Sequence, residues 1–294
     1  MPEVKDFLTP NRPTWCPGCG NFALWEALKR ALAQLGWEKH EFSVVWGIGC
    51  HGNGADFLDV QGFHALHGRS LPVATGLSLT RPDLKVIVEM GDGDGYGLGL
   101  GHFIHSVRRN VNITCLAHDN QIYGLTTGQA SPTTDHLMRT VSTPKGVLEE
   151  PVNPIGLAIA EGATFVARGF AGDIPHLTAL YVQALQHRGF ALVDVYQPCV
   201  TWNHVNTFQW FRERVYKLEE NGWDSSDRTK AFDLSMKAFH ELTCTPEECR
   251  VPIGVFYRQA DVPAYEDGVA ASAQPGFTRA LAPRDVSGIA SRFV

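Results

Sequence analysis

Asp92, within Gly91-Asp92-Gly93-Asp94-Gly95, and Asn120, within Asp119-Asn120-Gln121-Ile122, are oxygen donors placed just past two short apolar runs that begin at Val86 and Ile113. Between the runs, Leu98, Leu100, Phe103, Ile104 and Val107 recur at helical spacing, so the stretch reads strand, helix, strand. In such a βαβ unit the ends of neighbouring parallel strands open into the crevice where open α/β sheets bind ligands, which makes Asp92 and Asn120 neighbours in space. The chemistry that suits this pair is a divalent metal on a diphosphate. Mg²⁺ takes octahedral oxygen ligands and is commonly held by one or two carboxylates together with substrate phosphates. Asp92 supplies the carboxylate, Asn120 an amide oxygen, and the carbonyl of Ile122 a third protein ligand. Gly91, Gly93 and Gly95 let the backbone pass close to a phosphate, and the following helix offers its N-terminus to the anion. Gly-Asp-Gly alone is equally compatible with a turn that binds nothing; the Asn120 partner argues against that.

A second set of donors is sulfur. Cys16-Pro17-Gly18-Cys19-Gly20 is a tight knuckle whose two thiolates can reach one centre. Cys50 follows the strand Phe42 to Trp46 in the loop Gly47-Ile48-Gly49-Cys50-His51-Gly52-Asn53, and Cys199 follows the apolar strand Phe190 to Val195 in Gln197-Pro198-Cys199. Four thiolates fit either Zn²⁺ or a [4Fe-4S] cluster. Cys115 reads as a packed thiol inside a core strand. Cys244 and Cys249, near the end of a polar helical stretch, read as structural or incidental, and seven cysteines in a cytoplasmic chain read as ligands or buried thiols rather than disulfides.

Gly91-Asp92-Gly93 followed by Asp119-Asn120 looks like the thiamine diphosphate (TPP) motif. With Trp15-Cys16-Pro17-Gly18-Cys19-Gly20 and Gly47-Ile48-Gly49-Cys50, it resembles the β subunit of 2-oxoacid:ferredoxin oxidoreductases over most of the chain. The resemblance selects the [4Fe-4S] cluster, carried by Cys16, Cys19, Cys50 and Cys199, beside a Mg²⁺ held by Asp92, Asn120 and Ile122. It implies TPP contacts at Ile48, Gly49, Cys50, His51, at His67, Gly68 and Arg69, at Gly93 and Asp94, and at Gly124 and Leu125. His51, Asn53, Leu125 and Thr127 are the pocket candidates nearest the substrate, and no catalytic residue is assigned on this chain. Many members of the family carry Lys where this chain has Thr127, and several where it has Asn53, so these departures bear on substrate identity. The implied reaction is TPP-dependent oxidative decarboxylation of a 2-oxoacid, with coenzyme A as co-substrate and electrons passing through the cluster to ferredoxin, or the reverse CO₂-fixing reaction. The Trp-Cys-Pro-Gly-Cys-Gly form and the Gln197-Pro198-Cys199-Val200-Thr201 segment look more like the 2-oxoglutarate branch, giving succinyl-CoA, than the pyruvate or broad 2-oxoacid ones. The carboxylate that activates TPP comes, in this family, from a partner chain, which implies an obligate α subunit in an αβ or (αβ)₂ assembly. Two readings compete: a non-oxidative TPP decarboxylase subunit with structural cysteines, and a zinc-stabilised, non-catalytic scaffold subunit.

The elements that must position these residues are those of an α/β protein. The expected architecture is a mostly parallel sheet with helices on both faces, the TPP-binding fold, over residues 1–200, and a C-terminal extension over residues 201–294 that packs on the cluster and the partner subunit. A helix starts at Asn21 as N-cap and ends at Gly36; Leu77 to Arg81 finishes another, before the metal-binding unit. Residues 123–134 form a loop over the cofactor, and 135–150, lacking periodicity, read as mobile. Ile155 to Glu161 and Ile174 to His187 read as helices and Thr164 to Ala167 as a strand; Asn206 to Glu220 and Arg228 to Leu242 read as helices, Val251 to Phe256 as a strand, and the tail from Pro263 as extended. With 44% hydrophobic and 19% charged residues among 294 and a net charge of -6, the composition is that of a globular protein and argues against nucleic acid or an anionic membrane as partner. No apolar run approaches the ~18 residues of a membrane span, and no signal-peptide pattern is present, which places the chain in the cytoplasm.

Overall fold

The computed structural model describes residues 1–237 and 245–272. Its strands are β1 (Phe42–Trp46), β2 (Gly62–His64), β3 (Lys85–Gly91), β4 (Ile113–Asp119), β5 (Phe165–Phe170), β6 (Ala191–Tyr196), β7 (Val215–Lys217) and β8 (Val251–Arg258). They form one sheet in the order β2-β1-β3-β4-β6-β5-β8-β7. The pairings from β2 through β5 are all parallel, whereas β8 runs antiparallel to β5 and carries β7 parallel on its far edge.

Alternation explains why β3 and β4 read as continuous apolar runs. Val86, Val88 and Met90 of β3, with Cys115 and Ala117 of β4, face one core; Ile87 and Leu116 face the other. A parallel strand buried on both faces takes a near-continuous apolar run, interrupted here by the buried Glu89, Thr114, His118 and Asp119. One face is covered by α1 (Asn21–Leu35) and α5 (Ile174–Gln186), which supply Leu24, Leu28, Leu177 and Leu180. The other is covered by α2 (Ser70–Thr80), α3 (Leu100–Arg109), α4 (Pro154–Ala160) and α7 (Arg228–Lys237), which supply Leu71, Phe103, Ile155 and Ala231. Among the described residues no helix is long and apolar enough to cross a membrane.

Several local expectations change. Asn21 is the first residue of α1 and Gly20 its cap, because the Asn21 side chain is used elsewhere: its Oδ1 lies 2.9 Å from His118 Nδ1. The expected helix over 206–220 is only α6 (Phe208–Arg212), capped by Thr207 accepting from the Trp210 N–H; the chain then turns into β7, whose edge pairing with β8 overrides helical periodicity. Residues 135–150 are folded back on themselves by the Leu137 N–H to Val147 C=O and Val147 N–H to Met138 C=O bonds, with Met138 buried. After Pro263 the chain forms α8 (Tyr265–Ser272) rather than an extended tail, its first turn held by the Ala264 N–H donating to Asp267 Oδ2. The remainder of that tail, Cys244, and the end of the helix read to Leu242 lie outside the described residues. Cys249 corrects the reading of all seven cysteines as ligands or buried thiols: it sits in the turn before β8 and is disulfide-bonded. Cys115 is a fully buried free thiol in the core, as expected.

Candidate functional site

β3 and β4 end side by side, with Gly91 paired to His118, so the turns that follow carry Asp92 and Asn120 to one spot. Gln121 adopts a left-handed conformation (φ 59°), which turns the chain sharply before Ile122. Asp92, Asn120 and Ile122 line one pocket. Asp92 Oδ2 accepts from the hydroxyls of Ser131 (2.5 Å) and Thr133 (2.7 Å), and Asn120 Oδ1 accepts from the Ile122 N–H (3.1 Å). Both oxygen donors are therefore fixed in orientation by neighbours that hold no charge. Burial pushes the Asp92 carboxyl up to about 6 against those hydrogen bonds.

The same pocket gathers most of the residues singled out for TPP. Ile48, Gly49, Cys50 and His51 form one wall, Gly93 and Asp94 the floor, and His67, Gly124 and Leu125 the rest. Gly68 and Arg69 stand behind this wall: the Gly68 N–H donates to Asp94 Oδ1 (2.7 Å), and Arg69 Nη1 reaches the Gly68 carbonyl. Asp94 Oδ1 also accepts from the Ile48 N–H (3.2 Å), so this carboxylate clasps the loops after β1 and β2 onto the turn after β3. Its Oδ2 and His51 Nε2 are buried with no hydrogen-bond partner among the described residues, two polar atoms at the pocket left unsatisfied. Burial, with His118, His64 and His67 nearby, holds the His51 imidazole well below its ordinary value, hence neutral. Asn53 lies in the turn Cys50–Asp56, outside the pocket lining; Thr127 is exposed at the tip of the loop closed by the Tyr123 to Gln129 bridge, with φ 76°. A β-branched residue in that region is strained.

The glycines of the turn have a local use besides the one their spacing suggests. A Cβ on Gly93 would come 2.1 Å from the Tyr123 ring, one on Gly95 2.2 Å from Met90 Sδ, and one on Gly91 3.0 Å from His51 Nδ1. Their missing side chains make room for the protein's own packing. Tyr123, Thr126, Ser131 and Thr133 do not stand out in the sequence; their one signal there is the polar character of the 123–134 loop.

The four cysteines converge on the same rim. An alanine methyl at Gly124 would lie 3.3 Å from Cys199 Sγ and 3.8 Å from Cys50 Sγ. Trp15 Nε1 donates to the Cys50 carbonyl (2.6 Å), and the Gly20 N–H to the Pro198 carbonyl (3.2 Å), so the knuckle after Trp15 is stitched to both later loops. Burial pushes the Cys19 thiol up to about 12, with further upward push from Cys199, Cys50 and Cys16; burial, Cys199 and Cys16 raise Cys50 to about 11. The four sulfurs are thus within electrostatic reach of one another, yet among the described residues no three His, Cys, Asp or Glu side chains close around a point that would hold a single metal ion.

Residues 47–195 match the family described as thiamine pyrophosphate enzyme, C-terminal TPP binding domain, and residues 199–274 match the C-terminal region of the pyruvate ferredoxin oxidoreductase beta subunit. A 2-oxoacid:ferredoxin oxidoreductase subunit beta from a Sulfolobus species is 45% identical over 268 residues, 90% of this chain and 88% of that protein. The 2-oxoglutarate oxidoreductase subunit KorB of Mycobacterium tuberculosis is 44% identical over 199 residues, 68% of this chain and 53% of that one. Among solved structures, 2-oxoglutarate:ferredoxin oxidoreductase from Magnetococcus marinus, with 2-oxoglutarate, coenzyme A and succinyl-CoA bound, superposes with a TM-score of 0.87 at 36% identity, covering 99% of this chain and 96% of that one.

Proposed function

The chain belongs to the β subunits of the 2-oxoacid:ferredoxin oxidoreductases, and from that premise we propose that it binds Mg²⁺-TPP and a [4Fe-4S] cluster and acts with an α subunit on 2-oxoglutarate, coenzyme A and ferredoxin. The observation that carries the proposal is Gly124, which lines the pocket holding Asp92 and Asn120 while standing against the sulfurs of Cys50 and Cys199. Bound TPP supplies a nucleophilic carbon for the keto group and an electron sink as CO₂ leaves, and the cluster accepts electrons singly. Asp92, Asn120 and the Ile122 carbonyl would hold the Mg²⁺, with Ser131 and Thr133 fixing the Asp92 carboxylate. Cys16, Cys19, Cys50 and Cys199 would hold the cluster. Four thiolates suit either Zn²⁺ or a [4Fe-4S] cluster, and kinship with ferredoxin-reducing subunits favours the cluster. Neutral His51 adds a polar group to the wall without a competing positive charge.

The α subunit would cover the pocket mouth. Phe63, on the edge strand β2, is 51% exposed, Leu66 78% and Leu98 57%, and Leu125 stands half-exposed on the pocket loop. Exposed apolar groups clustered beside a site mark a docking surface. 2-Oxoglutarate is favoured by the KorB relatives and by the Magnetococcus enzyme's bound ligands, whereas one matched family description names pyruvate.

The test is the αβ complex, co-produced and purified without oxygen, then assayed with 2-oxoglutarate or pyruvate, coenzyme A and a viologen acceptor. A brown complex that bleaches on reduction and turns over 2-oxoglutarate fastest is expected. Zinc in place of iron would overturn the cluster assignment, and faster turnover of pyruvate the substrate assignment. In the same complex Gly124→Ala is expected to leave folding stability within about 1 kcal/mol, since the methyl meets only ordinary to tight contacts, while lowering the iron content severalfold because it occupies the space between two ligand sulfurs.

A further inference from the structure

Gln197 is buried to 1% exposure at the end of β6, where its N–H donates to the Asp119 carbonyl (2.9 Å) and extends the ladder with β4. Its side-chain amide lies between Cys19 and Asn120. Nε2 donates to Cys19 Sγ (3.4 Å) and to the Pro198 carbonyl (3.2 Å), and Oε1 accepts from Asn120 Nδ2 (3.1 Å). Backbone groups with a single role fix both amides. The Pro198 carbonyl can only accept, which identifies the Gln197 nitrogen, and the Ile122 N–H can only donate, which identifies Asn120 Oδ1. The approach is close: a Cβ on Gly20 would lie 2.8 Å from Gln197 Cγ and 2.9 Å from Nε2.

We propose that Gln197 is a positioning residue shared by the two inorganic centres, donating a hydrogen bond to a cluster thiolate while holding the Asn120 amide so that its oxygen faces the Mg²⁺. The inference rests on the reading above, in which Cys19 is a cluster ligand and Asn120 a metal ligand. A donor to a ligand sulfur stabilises the reduced, more negative cluster, so it raises the potential. An outer-shell partner of a metal ligand sets that ligand's orientation, and losing one typically costs about 10- to 100-fold in metal affinity. One buried amide does both here because the loop after β6 is the neighbour of both the Cys16–Cys19 knuckle and the turn after β4.

Two variants of the αβ complex separate the roles. Gln197→Met fills similar space and loses both bonds; Gln197→Glu keeps an oxygen for Asn120 Nδ2 and loses the donor to sulfur. Potentiometric titration followed by electron paramagnetic resonance is expected to show a more negative cluster potential in both, equivalent to about tenfold in the oxidised-to-reduced ratio or ~59 mV for one electron. Calorimetric titration of TPP with Mg²⁺ is expected to show about tenfold weaker binding in Gln197→Met and near wild-type binding in Gln197→Glu. A wild-type complex with no paramagnetic iron-sulfur signal would sink the reading on which this rests. A wild-type signal with the potential unmoved in both variants overturns the proposal alone, as does equal loss of cofactor affinity in both, which is also the deciding readout if a variant loads no cluster.

Discussion

Replacing Asp92 by asparagine is expected to abolish Mg²⁺-dependent retention of TPP and, in protein stripped with a chelator, to raise the melting temperature. The two effects share a cause. Asp92 is 3% exposed, and its charge is opposed by burial and by Asp194, so the carboxyl rises from 3.8 to about 6 despite the Ser131 and Thr133 hydroxyls. A carboxyl whose folded value lies above its unfolded one favours the protonated form in the folded chain. That stability is fully present below about 3.8 and is lost as pH rises through about 6. At about 1.4 kcal/mol for each pH unit between the two values, the stripped chain carries a penalty of about 3 kcal/mol at neutral pH. A divalent cation reverses its sign, and an asparagine, which keeps an oxygen for the two hydroxyls, removes it. Melting curves in chelator should show the variant's advantage growing from about half its full size at pH 5 to all of it at pH 8, and the complex should keep its iron-sulfur colour while losing TPP. Full TPP retention would contradict the metal assignment; a variant less stable than wild type at pH 8 would contradict the charge argument.

The layout of the site is legible in the sequence because its largest features are local. The strands around Val86 and Ile113 announce themselves through apolar runs, and the rule that ligands sit past the carboxyl ends of parallel strands places Asp92 beside Asn120 without any contact being known. The family resemblance then links Cys16, Cys19, Cys50 and Cys199, which are separated along the chain but joined at the rim by Trp15 and the Pro198 carbonyl. What stays hidden depends on side chains meeting across elements. Ser131 and Thr133 look like any polar loop residues until the 123–134 loop folds onto Asp92, and Asn21 looks like a helix cap until His118 claims it. Gly68 and Arg69 read as pocket wall from sequence; the Asp94 carboxylate draws them behind it. The stretch from 206 to 220 misleads for a different reason: the antiparallel addition of β8 to β5 creates a sheet edge that recruits Val215–Lys217, and nothing in the local pattern announces that edge.

Arg168→Met is expected to destabilise the protein by about 3–5 kcal/mol, the range for removing one partner of a buried ion pair. Arg168 on β5 stands directly opposite Asp194 on β6, its Nε 3.3 Å from Asp194 Oδ2, with both side chains buried. Asp194 also accepts the Tyr96 hydroxyl (2.8 Å), and the guanidinium lies over the Tyr196 and Phe256 rings at 4.8 and 5.6 Å. Burial raises the carboxyls of Asp194 and Asp119, each held down in part by Arg168, while the Asp194 and Asp92 charges push Asp119 higher. This cation therefore supports a row of carboxylates that ends at the turn carrying Asn120, since Asp119 precedes Asn120. A methionine fills the space and keeps contact with the rings, so the loss should come from stranded negative charge rather than from a cavity. The double variant Arg168→Met/Asp194→Asn separates the two causes, because it removes the stranded charge while keeping an acceptor for the Tyr96 hydroxyl. Chemical unfolding of wild type, both single variants and the double variant closes the cycle. Recovery of most of the lost stability in the double variant is the expected result; a double variant no more stable than Arg168→Met would assign the loss to ring packing and remove the electrostatic support proposed for the turn that holds Asn120.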